Sequence, residues 1–130
     1  MSIRVMLVDD HKILRDALKG VLEREHDMVL VGEAGDGVEA LAVARAVQPD
    51  VVLMDIGLPA LGGIETTRAL ISEHPKVLVI ALSTFSDRRI LLQMLDAGAS
   101  GYVVKPFTAA TLDEKLKKIF QTTSKAGAPA

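Results

Sequence analysis

A chain of 130 residues holds one domain of ordinary size, and at that length roughly two-thirds of the unfolded surface is buried on folding, enough for a core without covalent staples. With 49% hydrophobic and 25% charged residues it is not a disordered sequence, and with no cysteine it has no disulfide framework, no thiolate-held zinc and no thiol nucleophile. Fifteen Lys and Arg against seventeen Asp and Glu leave a net charge of -2, without the clustered basic excess of a nucleic-acid surface.

The N-terminal run Ile3 to Val8 is strand-like at once, with no charged segment and long apolar stretch ahead of it to act as a secretion signal. Similar runs recur at Met28 to Val31, Val51 to Met54, Val77 to Leu82 and Gly101 to Val104. Each is short and nearly continuously apolar, which predicts strands buried on both faces. None approaches the roughly 20 residues of a membrane span, so the expectation is a cytoplasmic protein with no membrane contact. Between the strands lie helical spacings: Leu14, Leu18 and Leu22; Leu41 and Ala44; Ile64, Thr67 and Ile71; Ile90 and Met94; Leu112, Leu116 and Ile119. Gln48-Pro49-Asp50, His74-Pro75 and Ala97-Gly98-Ala99 stop the second, third and fourth helices. For the fifth, Thr108 as N-cap competes with a capping box of Thr111 and Glu114.

Strand-helix alternation repeated five times predicts an α/β, doubly wound (βα)5 fold, because parallel strands need crossover connections and helices supply them. Residues 1–121 form the expected domain. Residues 122–130, small and polar without periodicity, read as a linker or frayed tail.

In an open α/β sheet, ligands bind beyond the carboxyl ends of the strands. Asp9-Asp10, Asp55, Ser83-Thr84 and Lys105-Pro106 all fall at such ends. An acid after a strand is commonly a helix cap, and Asp55 by itself also fits a turn leading to Gly57-Leu58-Pro59. Three carboxylates at one sheet edge, however, repel each other, and a hard cation relieves that best, with Mg²⁺ the natural candidate. Lys105 supplies a matching charge for a phosphate. His11 reads as a first-turn helix residue rather than a metal ligand, His26 and His74 as solvated, and the methionines as core filler. Lys115, Lys117 and Lys118 read as a solvated face near a helix C-terminus.

Asp9-Asp10, Asp55, Ser83, Tyr102 and Lys105-Pro106, on this spacing, resemble the receiver domain of bacterial two-component response regulators over about residues 1–121. Asp10-His11 followed by Arg15 and Leu18, Gly63 eight residues after Asp55, and the run Gly98 to Lys105 are similar to the NarL/FixJ (LuxR-type) subfamily. The resemblance implies a flavodoxin-like sheet of order 2-1-3-4-5. It implies that Asp55 is the phosphoacceptor for a sensor histidine kinase, forming an acyl phosphate. Mg²⁺ would be held by Asp10 and Asp55 directly, by Asp9 directly or through water, and by the Gly57 backbone carbonyl. Ser83 and Lys105 would stabilise phosphoryl oxygens, and Tyr102 would swing from exposed to buried, changing the surface of the fourth helix and fifth strand.

Also implied are a cis Lys105-Pro106 peptide and homodimerisation, through the helix starting near His11 or through the Tyr102 surface. DNA contact would come only through a C-terminal helix-turn-helix domain absent from this chain. Gly57 and Phe85 flank the path of a hydrolytic water and neither orients it, which implies a long-lived acyl phosphate. Such a domain is a switch rather than an enzyme, catalysing only its own phosphorylation and dephosphorylation. Two rivals fit less well: a phosphatase of the haloacid dehalogenase type places an Asp-x-Asp after its first strand, and a flavodoxin-like mononucleotide carrier has a first loop rich in Gly, Ser and Thr, where this chain has Asp-Asp-His-Lys.

Overall fold

Five parallel strands lie in the order β2-β1-β3-β4-β5. In the computed structural model, residues 3–24, 28–56, 62–83 and 88–104 are described, with Thr111, Glu114, Lys115 and Lys118 of a last helix. The elements are β1 (Ile3–Val8), α1 (Lys12–Glu23), β2 (Met28–Ala34), α2 (Gly37–Val47), β3 (Val51–Asp55), α3 (Gly63–Glu73), β4 (Leu78–Ser83), α4 (Arg88–Asp96) and β5 (Gly101–Val104). The doubly wound α/β architecture is the one that strand-helix alternation predicts, and the strand order is the one the family resemblance implies.

Period-two alternation along the strands divides the core between two faces. Val5 and Leu7 of β1, with Val51 and Leu53 of β3, pack with Leu18 and Leu22 of α1. Met6, Val8, Val52 and Met54 point the other way, toward Ala40 and Ala44 of α2, Leu70 of α3 and Met94 of α4. Burying a side chain of this size contributes about 1.5–3 kcal/mol, and most of those named have no exposed surface. Met6, Met28, Met54 and Met94 are all buried, in keeping with their reading as core filler.

Burial on both faces holds for the central strands but not for the edges. Val29 of β2 is 42% exposed and β5 alternates, with Val103 buried between exposed Tyr102 and Val104. Edge position, invisible in composition, explains this. β2 also runs to Ala34, three residues past the apolar run, with a register shift opposite Val5/Met6 that admits the extra residue. β3 and β4 reach one residue further than expected, to Asp55 and Ser83, because each extension finds a paired neighbour, Leu82 and Val104 respectively.

The expected helix stops are where the sequence puts them. Gln48 takes the left-handed conformation (φ 50) as C-cap of α2, and Arg4 covers that helix end by donating to the carbonyls of Val47 (2.5 Å) and Gln48 (3.4 Å). Gly98 (φ 116) ends α4, with Ala99 N donating to Met94 O at 2.9 Å, and a Cβ there would lie 2.4 Å from Ile71 Cδ1. One reading needs correction: His74 is not solvated. It caps α3 where the chain turns into β4, its side chain is only 15% exposed, and its buried Nε2 stands 3.8 Å from Glu73.

At the same end of the molecule Arg45 of α2 grips Glu73 of α3 with two hydrogen bonds, Nε to Oε2 at 3.0 Å and Nη2 to Oε1 at 2.6 Å. Those bonds first, and the Coulombic attraction with them, hold the Glu73 carboxyl below the ordinary carboxylate range and raise Arg45. A depressed folded-state pKa stabilises above the unfolded value and stops doing so as pH falls through the folded one. Glu73→Gln is therefore expected to lower the melting temperature modestly at neutral pH. The gap to the parent should close as pH falls through and below the ordinary carboxylate range, and should shrink with added salt; melting curves across pH check it.

Candidate functional site

The alternation that builds the core also builds the site. In β1 the residues facing α1 are Val5 and Leu7, and in β3 they are Val51 and Leu53. The next position of that phase is Asp9 after β1 and Asp55 at the end of β3. The two strands are neighbours in register Val8↔Met54, and one further step sets Asp9 across from Asp55. Both are buried, at 1% and 8% exposure. Asp10 is partly open, and His11 is 70% exposed along its side chain. One ligand atom from each of Asp9, Asp10, His11 and Asp55 lies within 4.8 Å of the others.

The turn from β1 into α1 is held tightly. Asp9 N donates to Ala34 O of β2 at 3.1 Å, and Asp9 Oδ1 accepts from His11 N at 2.9 Å. Arg15 Nη1 donates to Asp9 O at 2.5 Å, while its Nε stands 3.4 Å from Glu33 Oε1. His11 differs from expectation: it is the N-cap residue of α1 rather than part of the first turn. Its Nδ1 stands 3.1 Å from Asp9 Oδ1 and 3.1 Å from Asp10 Oδ1, which puts the ring over both carboxylates. The ring reaches both acids while its side chain stays 70% exposed.

Gly63 gains a physical reason. It opens α3 so close to β3 that a Cβ would sit 2.7 Å from Asp55 O, 2.9 Å from Ile56 O and 3.0 Å from Ile56 Cα, all backbone atoms. Thr66 and Thr67 lock that first turn by donating to the carbonyls of Gly62 (2.6 Å) and Gly63 (2.7 Å).

Ser83 is placed by its backbone as the last residue of β4, beside Val104 of β5 and at the same edge as Asp55. Tyr102 is 38% exposed, and Lys115 Nζ stands over its ring, 5.4 Å from the centroid. Of the three lysines read as a solvated face, Lys118 is exposed, whereas Lys115 is half-buried with its ammonium over the Tyr102 ring. Gly57, Phe85, Lys105, Pro106, His26, Thr108, Lys117 and residues 122–130 lie outside the described residues.

The donors present suit a small hard cation. Opposite ligands of Mg²⁺ at 2.0–2.1 Å are about 4.2 Å apart, close to the spread of this donor set, and three of its four members offer carboxylate oxygen. Among the described helices, none is long and apolar enough to cross a membrane.

Residues 5–117 match the response regulator receiver domain family, and the chain belongs to it. Its relatives are response regulators of the LuxR/NarL type. It is 37% identical over 120 residues to the transcriptional regulatory protein DegU of Brevibacillus brevis, a match that covers 92% of this chain and 51% of DegU. It is 37% identical over 118 residues to the response regulator GacA of Pseudomonas viridiflava, covering 91% of this chain and 55% of GacA. Among solved structures, a LuxR-family two-component response regulator from Aurantimonas sp. SI85-9A1 superposes with a TM-score of 0.87 at 35% identity, covering 94% of this chain and 87% of the other. The chain spans about half the length of the curated relatives it matches.

The close approach at Gly63 has a measurable consequence. Gly63→Ala forces a methyl group against the Asp55 and Ile56 backbone, and overpacking of this kind costs about 1–3 kcal/mol. A urea denaturation midpoint lowered accordingly, with unchanged slope, is the expected result.

Proposed function

We propose that this chain is a phosphorylation-activated signalling switch whose phosphoacceptor is Asp55. One observation carries this: Asp55 is a nearly buried carboxylate at the end of a wholly apolar strand, gathered with the donor atoms of Asp9, Asp10 and His11 within 4.8 Å. A carboxylate there is costly unless it is paired and hydrogen-bonded, and a bound cation would add to that compensation. An Asp55 oxygen attacks the phosphorus of a kinase phosphohistidine. The P–O bond forms as the P–N bond breaks, and the electron pair leaves with the imidazole.

Asp10 and Asp55 would hold Mg²⁺ directly, Asp9 directly or through water, and the Gly57 carbonyl would be a further ligand. Bound there, the cation would supply positive charge for the phosphoryl oxygens. Ser83 donates to one of those oxygens and Lys105 pairs with another.

The output is the surface of α4 and β5, altered when Tyr102 moves from its exposed position to a buried one. Leu92, Leu95, Tyr102 and Val104 already expose apolar surface on those two elements, which supports this choice of face. The name of the relative DegU, a transcriptional regulatory protein, supports control of transcription as the final output; to the same reading belong a sensor histidine kinase upstream, DNA contact through a C-terminal helix-turn-helix domain, and a cytoplasmic location for this chain. Homodimerisation through α1 or through the Tyr102 face belongs to the same proposal.

Incubation with acetyl phosphate and Mg²⁺ should add one phosphoryl group by mass, and none to Asp55→Ala; modification persisting in that variant would refute the assignment. Asp10→Ala should weaken Mg²⁺ binding more than any other single change among the acidic residues. A separate measurement addresses lifetime. Gly57 and Phe85 give a hydrolytic water nothing to hold, so Phe85→Glu and Gly57→Asn should each speed loss of the phosphoryl group, followed by mass spectrometry over time. Equal or slower loss in both variants would defeat that expectation.

A further inference from the structure

The block Asp10-His11 followed by Arg15 contains one residue that the switch chemistry leaves without a task. Arg15 sits on α1, one helical turn past the acidic turn, with a side chain only 19% exposed. Its Nη1 donates to the Asp9 carbonyl at 2.5 Å. Its Nε is buried without a hydrogen-bond partner and stands 3.4 Å from Glu33 of β2, in ion-pair range. A Cβ on Gly35 would come within 3.3 Å of Nη1, so the chain leaves room for the guanidinium where β2 ends.

Charge alone gives no reason for an arginine here. A guanidinium beside three carboxylates repels an incoming cation, and Glu33 only offsets this. Geometry gives a better reason. The Asp9 N–H is fixed by Ala34 O, and the Asp9 carbonyl belongs to the peptide plane that also carries the Asp10 N–H. Holding that carbonyl fixes the plane from which the Asp10 side chain departs. A planar guanidinium with several donors, anchored on a second strand, can hold a carbonyl in one orientation in a way a single ammonium cannot.

We propose that Arg15 is a positioning residue for the cation site: by clamping the Asp9 carbonyl and leaning on Glu33, it sets the orientation of the Asp10 carboxylate and thereby raises Mg²⁺ affinity. This rests on the assignment of Asp9, Asp10 and Asp55 as cation ligands. Groups that orient metal ligands without touching the metal typically contribute 10–100-fold in affinity.

The test is calorimetric titration of the 130-residue chain with MgCl2 alone, paired with melting temperatures in EDTA. Arg15→Gln is expected to bind Mg²⁺ about tenfold more weakly, at the lower end of that range. Arg15→Lys, which keeps the charge, is expected to fall between Arg15→Gln and the parent. Leu18→Val on the same helix trims a buried contact and should lower the melting temperature while leaving Mg²⁺ affinity at the parental value. Arg15→Gln binding as tightly as the parent, or more tightly, would overturn the proposal. So would Arg15→Lys at full parental affinity, and that variant decides the matter if Arg15→Gln does not fold. A parent chain that takes up no Mg²⁺ would instead defeat the cation site itself, an outcome separate from any difference among the Arg15 variants.

Discussion

Parallel pairing of β1 with β3 brings two aspartates, 46 residues apart in sequence, side by side at the end of a dry sheet. In a flat list of residues each is an unremarkable acid after an apolar run. In register Val8↔Met54 they become neighbours with less than a tenth of their surface exposed. Two carboxylates in that setting raise each other's cost of ionisation unless positive charge or donors are supplied. The turn after β1 answers part of that demand with the His11 ring over two carboxylates and the His11 amide on Asp9.

The fold was largely legible because its strongest signals are local. Continuous apolar runs marked the central strands, and Gln48-Pro49, His74-Pro75 and Gly98 marked helix ends. What was hidden depends on neighbours in space. Nothing in Gly32-Glu33 reveals a strand residue; β2 continues through them because β1 is there to pair with, across a bulge. Asp36 as the N-cap of α2, accepting from Glu39 N at 2.8 Å, was available in the sequence, since an Asp before a helical run with Glu three residues on is a capping signature.

The candidate site shows the same division. Asp9, Asp10 and Asp55 were legible only jointly, as three acids that the predicted parallel sheet brings to one edge. The His11 ring position and the Arg15 clamp were not predictable from spacing, since both arise from the turn geometry that follows β1. His74 was misjudged for a related reason: polar residues at helix ends are usually wet, but this one lies where the chain folds back. The Arg45–Glu73 pair joins residues 28 apart, and only the packing of α2 beside α3 brings them together.

The contact between α3 and the backbone of Asp55 also bears on mechanics. Because Gly63 has no Cβ, the helix start lies closer to the Asp55 and Ile56 backbone than a residue with a side chain could, and packed protein interiors resist compression. That side of the acidic pocket therefore behaves as a rigid anvil. A displacement of the Asp55 backbone toward α3 meets close-packed atoms rather than free space. A single missing side chain thus sets how closely a helix can approach the strand that carries Asp55.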